Sequence, residues 1–212
     1  MKKFMLIIII LVLTACKIEK ININNYSQII DEITSNSTEF VNTVSNGYKY
    51  YLPFGVTREN ASNYNDVLKY NKDYYYLYVD TVSYYHKIKI QYEENDDSYF
   101  SKKINDLGYF EINKIEDKYF IEAMYNYAKI EAYVEERNLD NAVINISHVL
   151  ASIKFNDYII ELSISENNNV IKEENYNIFK PTRKEGSFLE YIEEFGDYEE
   201  EIKENELGKE SE

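Results

Sequence analysis

The feature that most constrains the fold is a block from about residue 66 to 134, in which short segments of alternating side chains are separated by polar turns. Alternation with a period of two is typical of β-strands that bury one face. Because the turns are short, we expect neighbouring strands to pair as an antiparallel meander. The predicted strands are Asp66–Tyr70, Tyr74–Asp80, Val82–Tyr92, Gly108–Ile115, Tyr119–Tyr125 and Tyr127–Val134.

The segment that follows has a helical period instead. Its apolar residues share one face when placed at 100° per residue, which predicts an amphipathic helix packed on the sheet. They are Leu139, Ala142, Val143, Ile146, Val149, Leu150 and Ile153. Near the start of the chain, Tyr26, Ile29, Ile30 and Ile33 have the same spacing, and we expect residues 26–46 to form one broken helix or two short ones. The predicted fold class is α+β.

The remaining segments are harder to assign. Residues 57–63 are polar and are interpreted as a loop, and residues 157–162 fit either a helix or a strand. Residues 175–179 resemble a final strand stopped by Pro181, and an apolar stripe from Phe188 to Phe195 has helical spacing.

The amino terminus carries a targeting signal. Two lysines at positions 2 and 3 precede ten apolar residues, Phe4 to Leu13, which have the composition of a secretory signal peptide. Ten helical residues rise only about 15 Å, about half of the hydrocarbon thickness of a bilayer. The next residues, Leu13-Thr14-Ala15-Cys16, resemble a bacterial lipobox, in which a diacylglycerol is attached to the cysteine and the chain is cleaved before it.

The lipobox resemblance implies that Cys16 is lipidated and that the mature protein is anchored at the extracytoplasmic face of the cell membrane. Two or three acyl chains, such as palmitate, anchor a protein stably at about 0.8 kcal/mol per buried methylene. Cys16 is the only cysteine in the chain, so we expect a fold without disulfides. The predicted organisation is a signal peptide (1–15), a tether (16–25), one α+β domain (26–184) and a short helix with an acidic tail (185–212).

Charge restricts the classes of partner. The chain has a formal net charge of −15, and residues 190–212 alone carry a net charge of −9. A chain this acidic is a poor candidate for nucleic-acid binding and would be repelled by anionic headgroups, so the lipid must supply the membrane attachment. The composition of the tail is typical of a solvated, disordered segment; recruitment of a basic partner is the alternative.

The layout of the middle of the chain is similar to that of the Mog1/PsbP-like α/β/α sandwich family. The similarity covers residues 48–156 and depends on the order of sheet and helix and on two short strings. These are Tyr50-Tyr51-Leu52-Pro53-Phe54-Gly55-Val56 before the sheet and Ser152-Ile153-Lys154-Phe155 after the helix. The resemblance implies a binding or assembly-factor role without catalysis of its own.

Motifs for catalysis or metal binding are missing from the sequence. The chain has two histidines, His86 and His148, and no G-x-S-x-G, H-E-x-x-H or glycine-rich phosphate loop. The acidic run Glu93–Asp97 lacks EF-hand spacing and is interpreted as a solvated turn. We therefore predict no catalytic residue, metal or cofactor, although carboxylate pairs of the glycosidase type cannot be selected from so many acids.

Tyrosines form the remaining candidate site. Tyr74, Tyr76 and Tyr78 point to one face of a predicted strand, where an exposed row could stack on sugars or contact a protein. The alternative is that these rings fill core positions. The sequence thus favours a non-enzymatic binding or assembly module of the cell envelope, with an envelope protein as partner. The alternatives are a receptor for wall polysaccharide that uses the tyrosine face, and a carboxylate-based hydrolase.

Overall fold

The computed structural model describes residues 23–62 and 64–166, which form an α+β domain. Its helices are α1 (Ile23–Ser35), α2 (Thr81–His86), α3 (Leu139–Ala151) and α4 (Asp157–Glu166), with a 3-10 turn at Glu136–Asn138 before α3. Its strands are β1 (Thr43–Val44), β2 (Tyr48–Tyr50), β3 (Val56–Ala61), β4 (Asn65–Tyr70), β5 (Asp73–Val79), β6 (Phe100–Ile104), β7 (Gly108–Ile115), β8 (Lys118–Tyr125), β9 (Ala128–Glu135) and β10 (Lys154–Phe155).

Seven strands form one antiparallel sheet in the order β3-β4-β5-β9-β8-β7-β6. Two runs of hairpins, β3 to β5 and β6 to β9, meet where β5 pairs with β9. The connection between the runs must therefore pass from the middle of the sheet to its far edge. The antiparallel meander predicted for residues 66–134 is confirmed, with this one long-range pairing added.

Helices α1 and α3 pack on one face of this sheet, which we call the first face. Tyr26 of α1 donates a hydrogen bond of 2.6 Å to Asp140 of α3 and so joins the two helices. The helical stripe predicted for α3 is buried. The apolar core lies between these helices and the inward side chains of the sheet, which include Leu68, Tyr75, Leu77, Val79, Phe110, Ile112, Ile121, Ala123, Ile130, Ala132 and Val134.

A second, three-stranded sheet has the order β1-β2-β10 and brings together segments more than 100 residues apart. Gly47 lies in the turn between β1 and β2 at φ +80°, a backbone conformation that favours glycine. Inward from β2, the carboxylate of Asp66 accepts hydrogen bonds from Tyr50 (2.8 Å) and Tyr48 (3.3 Å). The same carboxylate forms an ion pair of 2.6 Å with Arg58, which connects this sheet to β3 and β4.

Three local predictions are wrong. Residues 82–92 were expected to form a strand, but α2 occupies Thr81–His86, because Asp80 caps the helix through a 2.8 Å bond from the Ser83 amide. Residues 57–63 were expected to form a loop, but β3 is an edge strand whose polar side chains face solvent. No helix follows α1 up to residue 46; the expected second helix is replaced by β1 and its turn.

The two ends of the domain test the predicted boundaries of the tether and of the segment from residue 157. Helix α1 begins at Ile23, inside the segment predicted as a tether, and residues 157–166 form a helix, α4. The signal peptide with Cys16, the strand expected at 175–179, the helical stripe at 188–195 and the acidic tail lie outside the described residues.

Candidate functional site

The face of the seven-stranded sheet opposite α1 and α3, which we call the second face, carries a row of charged side chains. Glu111 of β7, Glu122 of β8 and Glu131 of β9 are directly opposite one another across the three neighbouring strands. Tyr76 of β5 continues the row beside Glu131. All three glutamates are buried, with at most 3% of each residue exposed. Buried carboxylates need charged or hydrogen-bonding partners, so this row must be embedded in a polar network.

Lys129 of β9 is at the centre of that network. Its ammonium nitrogen lies 2.8 Å from Oε1 of Glu122 and 2.7 Å from Oε1 of Glu131. The Glu122 carboxylate also accepts a hydrogen bond of 2.8 Å from the hydroxyl of Tyr109. Lys129 is itself 3% exposed, so the three charges form a fully buried ion-pair cluster on the second face.

Electrostatics favour the charged form of this lysine. Burial alone would lower the pKa of Lys129, but the adjacent carboxylates of Glu122 and Glu131 and their hydrogen bonds raise it above the ordinary value. Burial, with the neighbouring charge of Glu122 and its hydrogen bond, raises the pKa of Tyr109 well above 10. At neutral pH the cluster therefore holds a protonated ammonium and a neutral phenol.

Glu111 is enclosed by the segment that follows α2. Tyr92 donates a hydrogen bond of 2.7 Å to Glu111, and its ring stacks on Tyr109 with centroids 4.3 Å apart. Ile90 and Met124 complete a small apolar cluster with these two rings. The connection between β5 and β6 thus covers the second face over β7 and β8.

The predicted tyrosine row lies on this second face. Tyr75, Leu77 and Val79 are buried on the first face, which confirms the alternation along β5. Tyr74 is 40% exposed, and the ammonium of Lys69 lies 5.1 Å from its ring centroid. Tyr76 and Tyr78 are half-buried, and each interacts with other groups of the protein. The row is therefore not an open stacking surface along its whole length.

The geometry of Glu122 and Glu131 bears on the hydrolase alternative. Both carboxylates contact the same ammonium, so the two oxygens are close enough for a glycosidase-type pair. However, a general acid must reach its substrate, and these groups are buried and held by Lys129. In this arrangement, Lys129 and the two glutamates stabilise one another's charges inside the protein.

In the described part of the chain, the histidines and the remaining acids do not come together in one site. Among residues 23–62 and 64–166, no group of three or more histidine, cysteine, aspartate or glutamate side chains could hold a metal ion. The apolar stripe of α3 leaves His148 on the opposite side of the helix and predicts that it faces solvent. The structure instead places it half-buried against the ring of Tyr51, with 6.1 Å between centroids, and burial lowers its pKa. Glu94 accepts a hydrogen bond of 2.8 Å from the amide of Lys103 across the turn.

A different surface was missed by the sequence reasoning. A groove of about 610 Å³ lies beside the three-stranded sheet, and we call it the small-sheet groove. It is lined by residues 44–49 of β1, β2 and their turn and by residues 154–159 of β10 and the start of α4. The two halves approach closely at Gly47, where an added Cβ would lie 3.2 Å from Ile160.

Two of the four most exposed large apolar side chains of the described residues line this groove. Val44 and Tyr158, which line it, are 72% and 71% exposed. The other two do not line the groove: Phe54, in the turn after β2, is 98% exposed, and Phe40, which precedes β1 and contacts Tyr51, is 63% exposed. The other exposed large apolar residues of the described chain are at most 45% exposed.

The charged groups of the groove are of both signs. Lys49 and Lys154 are opposite each other on neighbouring strands, and Lys154 forms an ion pair with Glu39. Asp157 at the start of α4 accepts a hydrogen bond of 2.8 Å from Tyr84. The groove therefore combines exposed apolar side chains with polar groups of both charges, a composition typical of protein-binding surfaces.

Comparisons of the chain with protein-family models, curated proteins and solved structures found no match. Within the described ranges, none of the helices is long and apolar enough to cross a membrane.

Proposed function

We propose that this chain is a lipid-anchored, extracytoplasmic lipoprotein that binds another envelope protein through the small-sheet groove, without catalysis of its own. The observation that carries the proposal is that Val44 and Tyr158, two large apolar side chains that are mostly exposed, line the same concave surface. Soluble domains seldom expose large apolar side chains together unless the patch is an interaction site.

The chemistry of the groove supports a protein as the partner. Exposed aromatic residues are frequent anchors of protein interfaces, because a ring buries a large area at a low entropic cost. The anchored chain is strongly acidic, which disfavours direct contact of the groove with anionic lipid. The second face is a weaker candidate for a sugar site, because two tyrosines of its row are half-buried.

In-cell crosslinking with mass spectrometry tests the proposal. The native lipoprotein is compared with a variant carrying Val44→Ser and Tyr158→Ser, both at exposed positions that line the groove and should leave the fold intact. We expect a recurring protein partner that is lost in this variant. The matched control carries Tyr74→Ser and Leu107→Ser, which remove exposed apolar side chains outside the groove and should retain the partner.

Two outcomes would argue against the groove. Retention of the partner by the variant carrying Val44→Ser and Tyr158→Ser would exclude the groove as the contact. Loss of the partner in the control variant, which carries Tyr74→Ser and Leu107→Ser, together with retention of the native protein on purified wall polysaccharide, would favour the sugar receptor.

The anchor is tested separately with Cys16→Ala. Lipidation at Cys16 predicts that this variant leaves the membrane fraction and has a different mature mass from the native protein. An unchanged fractionation and mass would disprove lipid attachment.

A further inference from the structure

One face of the three-stranded sheet presents two lysines and a valine to the small-sheet groove. Lys49 of β2 is directly opposite Val44 of β1 on one side and Lys154 of β10 on the other. Residues directly opposite each other on paired strands share one face of a sheet. All three residues line the groove, and Val44 and Lys49 are exposed. We call these three residues the lysine row.

One ammonium of the lysine row already holds a carboxylate. Lys154 forms an ion pair with Glu39, which lies outside the helices and strands and has a side chain that is 94% exposed. Lys154 also donates a hydrogen bond of 3.3 Å to the backbone carbonyl oxygen of Glu39. The hydrogen bond from Lys154 and its charge lower the pKa of the Glu39 carboxyl. The row therefore stabilises an exposed carboxylate in its charged form.

Lys49 lacks a comparable partner. Among the described residues it forms no ion pair, although it is directly opposite Lys154, and like charges at such positions repel each other. Asp157 is the one acidic residue among the described residues that line the groove, and it accepts a hydrogen bond of 2.8 Å from Tyr84. A carboxylate supplied by a partner would pair with Lys49 and reduce the repulsion within the row.

We propose that the partner of the small-sheet groove contacts it through an extended segment in which an acidic residue lies one or two positions from a large apolar residue. The carboxylate pairs with Lys49, and the apolar side chain packs against the exposed side chains of Val44 and Tyr158. Adjacent strands are about 4.8 Å apart, which separates Val44 from Lys49, and alternate residues of an extended chain are about 7 Å apart. The spacing of such a segment therefore matches that of the row. The inference rests on the proposed function, because it specifies the chemistry of the same partner.

The net charge of −15 does not oppose such a local contact. At physiological ionic strength, interactions between exposed charges more than about 8 Å apart are largely screened, so the nearby ammonium dominates the energy of a bound carboxylate. An exposed ion pair of this kind strengthens binding by at most about fivefold, and reversing the charge of Lys49 adds repulsion to that loss.

Selection of a random-peptide library displayed on phage tests the inference, with the full chain, purified in detergent, as the bait. We expect the selected peptides to share an acidic residue within two positions of a large apolar residue. Synthetic copies should bind Lys49→Glu about fivefold or more weakly than the native protein, and should bind Lys49→Arg, which keeps the charge, about equally well. The matched control is Lys72→Glu, the same change in the exposed turn between β4 and β5, which should leave binding unchanged.

Three results would overturn the inference on the acidic segment. They are selected peptides without an acidic residue, equal affinity for the native protein and Lys49→Glu, and failure to select any peptide whose binding is lost with Val44→Ser and Tyr158→Ser. The proposed function is decided separately by in-cell crosslinking. A partner that is lost with Val44→Ser and Tyr158→Ser but retained by Lys49→Glu would overturn the acidic segment and leave the groove as the contact.

Discussion

Replacing Lys129 with methionine tests the buried ion-pair cluster directly. The substitution keeps an unbranched side chain that is one atom shorter and removes the ammonium that lies 2.8 Å and 2.7 Å from Glu122 and Glu131. Removing one partner of a buried ion pair costs about 3–5 kcal/mol, because the remaining charge has no compensation. We expect Lys129→Met to lower the free energy of unfolding by about that amount at pH 7, a large part of the stability of a typical domain.

The assay is urea unfolding followed by far-ultraviolet circular dichroism, with the slope compared between variants to check that the folded states are similar. Lys118→Met, at an exposed position of β8, is the matched control and should change stability by less than about 0.5 kcal/mol. Adding Glu122→Gln to Lys129→Met removes one uncompensated charge while an amide oxygen can still accept from Tyr109. This double variant should recover part of the loss.

The pH dependence distinguishes charge from packing. The pKa of Lys129 is raised in the folded protein, so its stabilisation is complete below the ordinary value of 10.5 and is lost only as the pH rises through the folded value. In Lys129→Met the two glutamates would instead bind protons on folding, so the loss should shrink as the pH falls from 7 to about 5. A loss below about 1 kcal/mol, or one that does not change with pH, would refute the reasoning.

Three further predictions concern other parts of the domain. Asp66→Asn weakens the ion pair with Arg58 and should lower the free energy of unfolding by about 2–3 kcal/mol, measured in urea. An unchanged free energy of unfolding would mean that solvent replaces the ion pair without cost. Gly108→Ala would place a Cβ 1.9 Å from the Met124 carbonyl oxygen, and its thermal midpoint should fall by an amount matching about 3 kcal/mol or more. Burial and a hydrogen bond to an acid raise the pKa of Tyr84 to about 12, so the folded protein retains a proton that an unfolded phenol loses above 10.0. Stability should therefore fall as the pH rises from about 10 to about 12, and an unchanged urea midpoint over that range would contradict the shift.

The periodicity of the sequence correctly predicted the strands and helices that bury only one side, because burial on one side requires apolar residues at a fixed spacing. The alternation of β5 and the helical stripe of α3 are both confirmed, because each element has one face on the same core. Predictions failed where a short-range signal competed with the pattern. At residues 82–92 the alternation of isoleucine and lysine suggested a strand, but the carboxylate of Asp80 caps a helical turn there, and only Ile90 and Tyr92 are buried afterwards.

The sites could not be derived in the same way. Tyr74, Tyr76 and Tyr78 were placed correctly on one face of β5, but their burial depends on what lies above that face. The glutamate row could not be selected among 38 acids, since its members are neighbours only through the pairing of β7, β8 and β9. No single segment carries a signal for that register.

What the sequence determined by itself is therefore the α+β class, the sheet and the helix on it, since periodicity and turn chemistry act over a few residues. The tertiary structure alone decided which side chains meet. It placed β5 beside β9, assembled the small-sheet groove from residues 44–49 and 154–159, and buried Lys129 between two carboxylates. The physical reason is that strand pairing and packing join segments far apart in the chain, and such contacts leave no local period to be recognised.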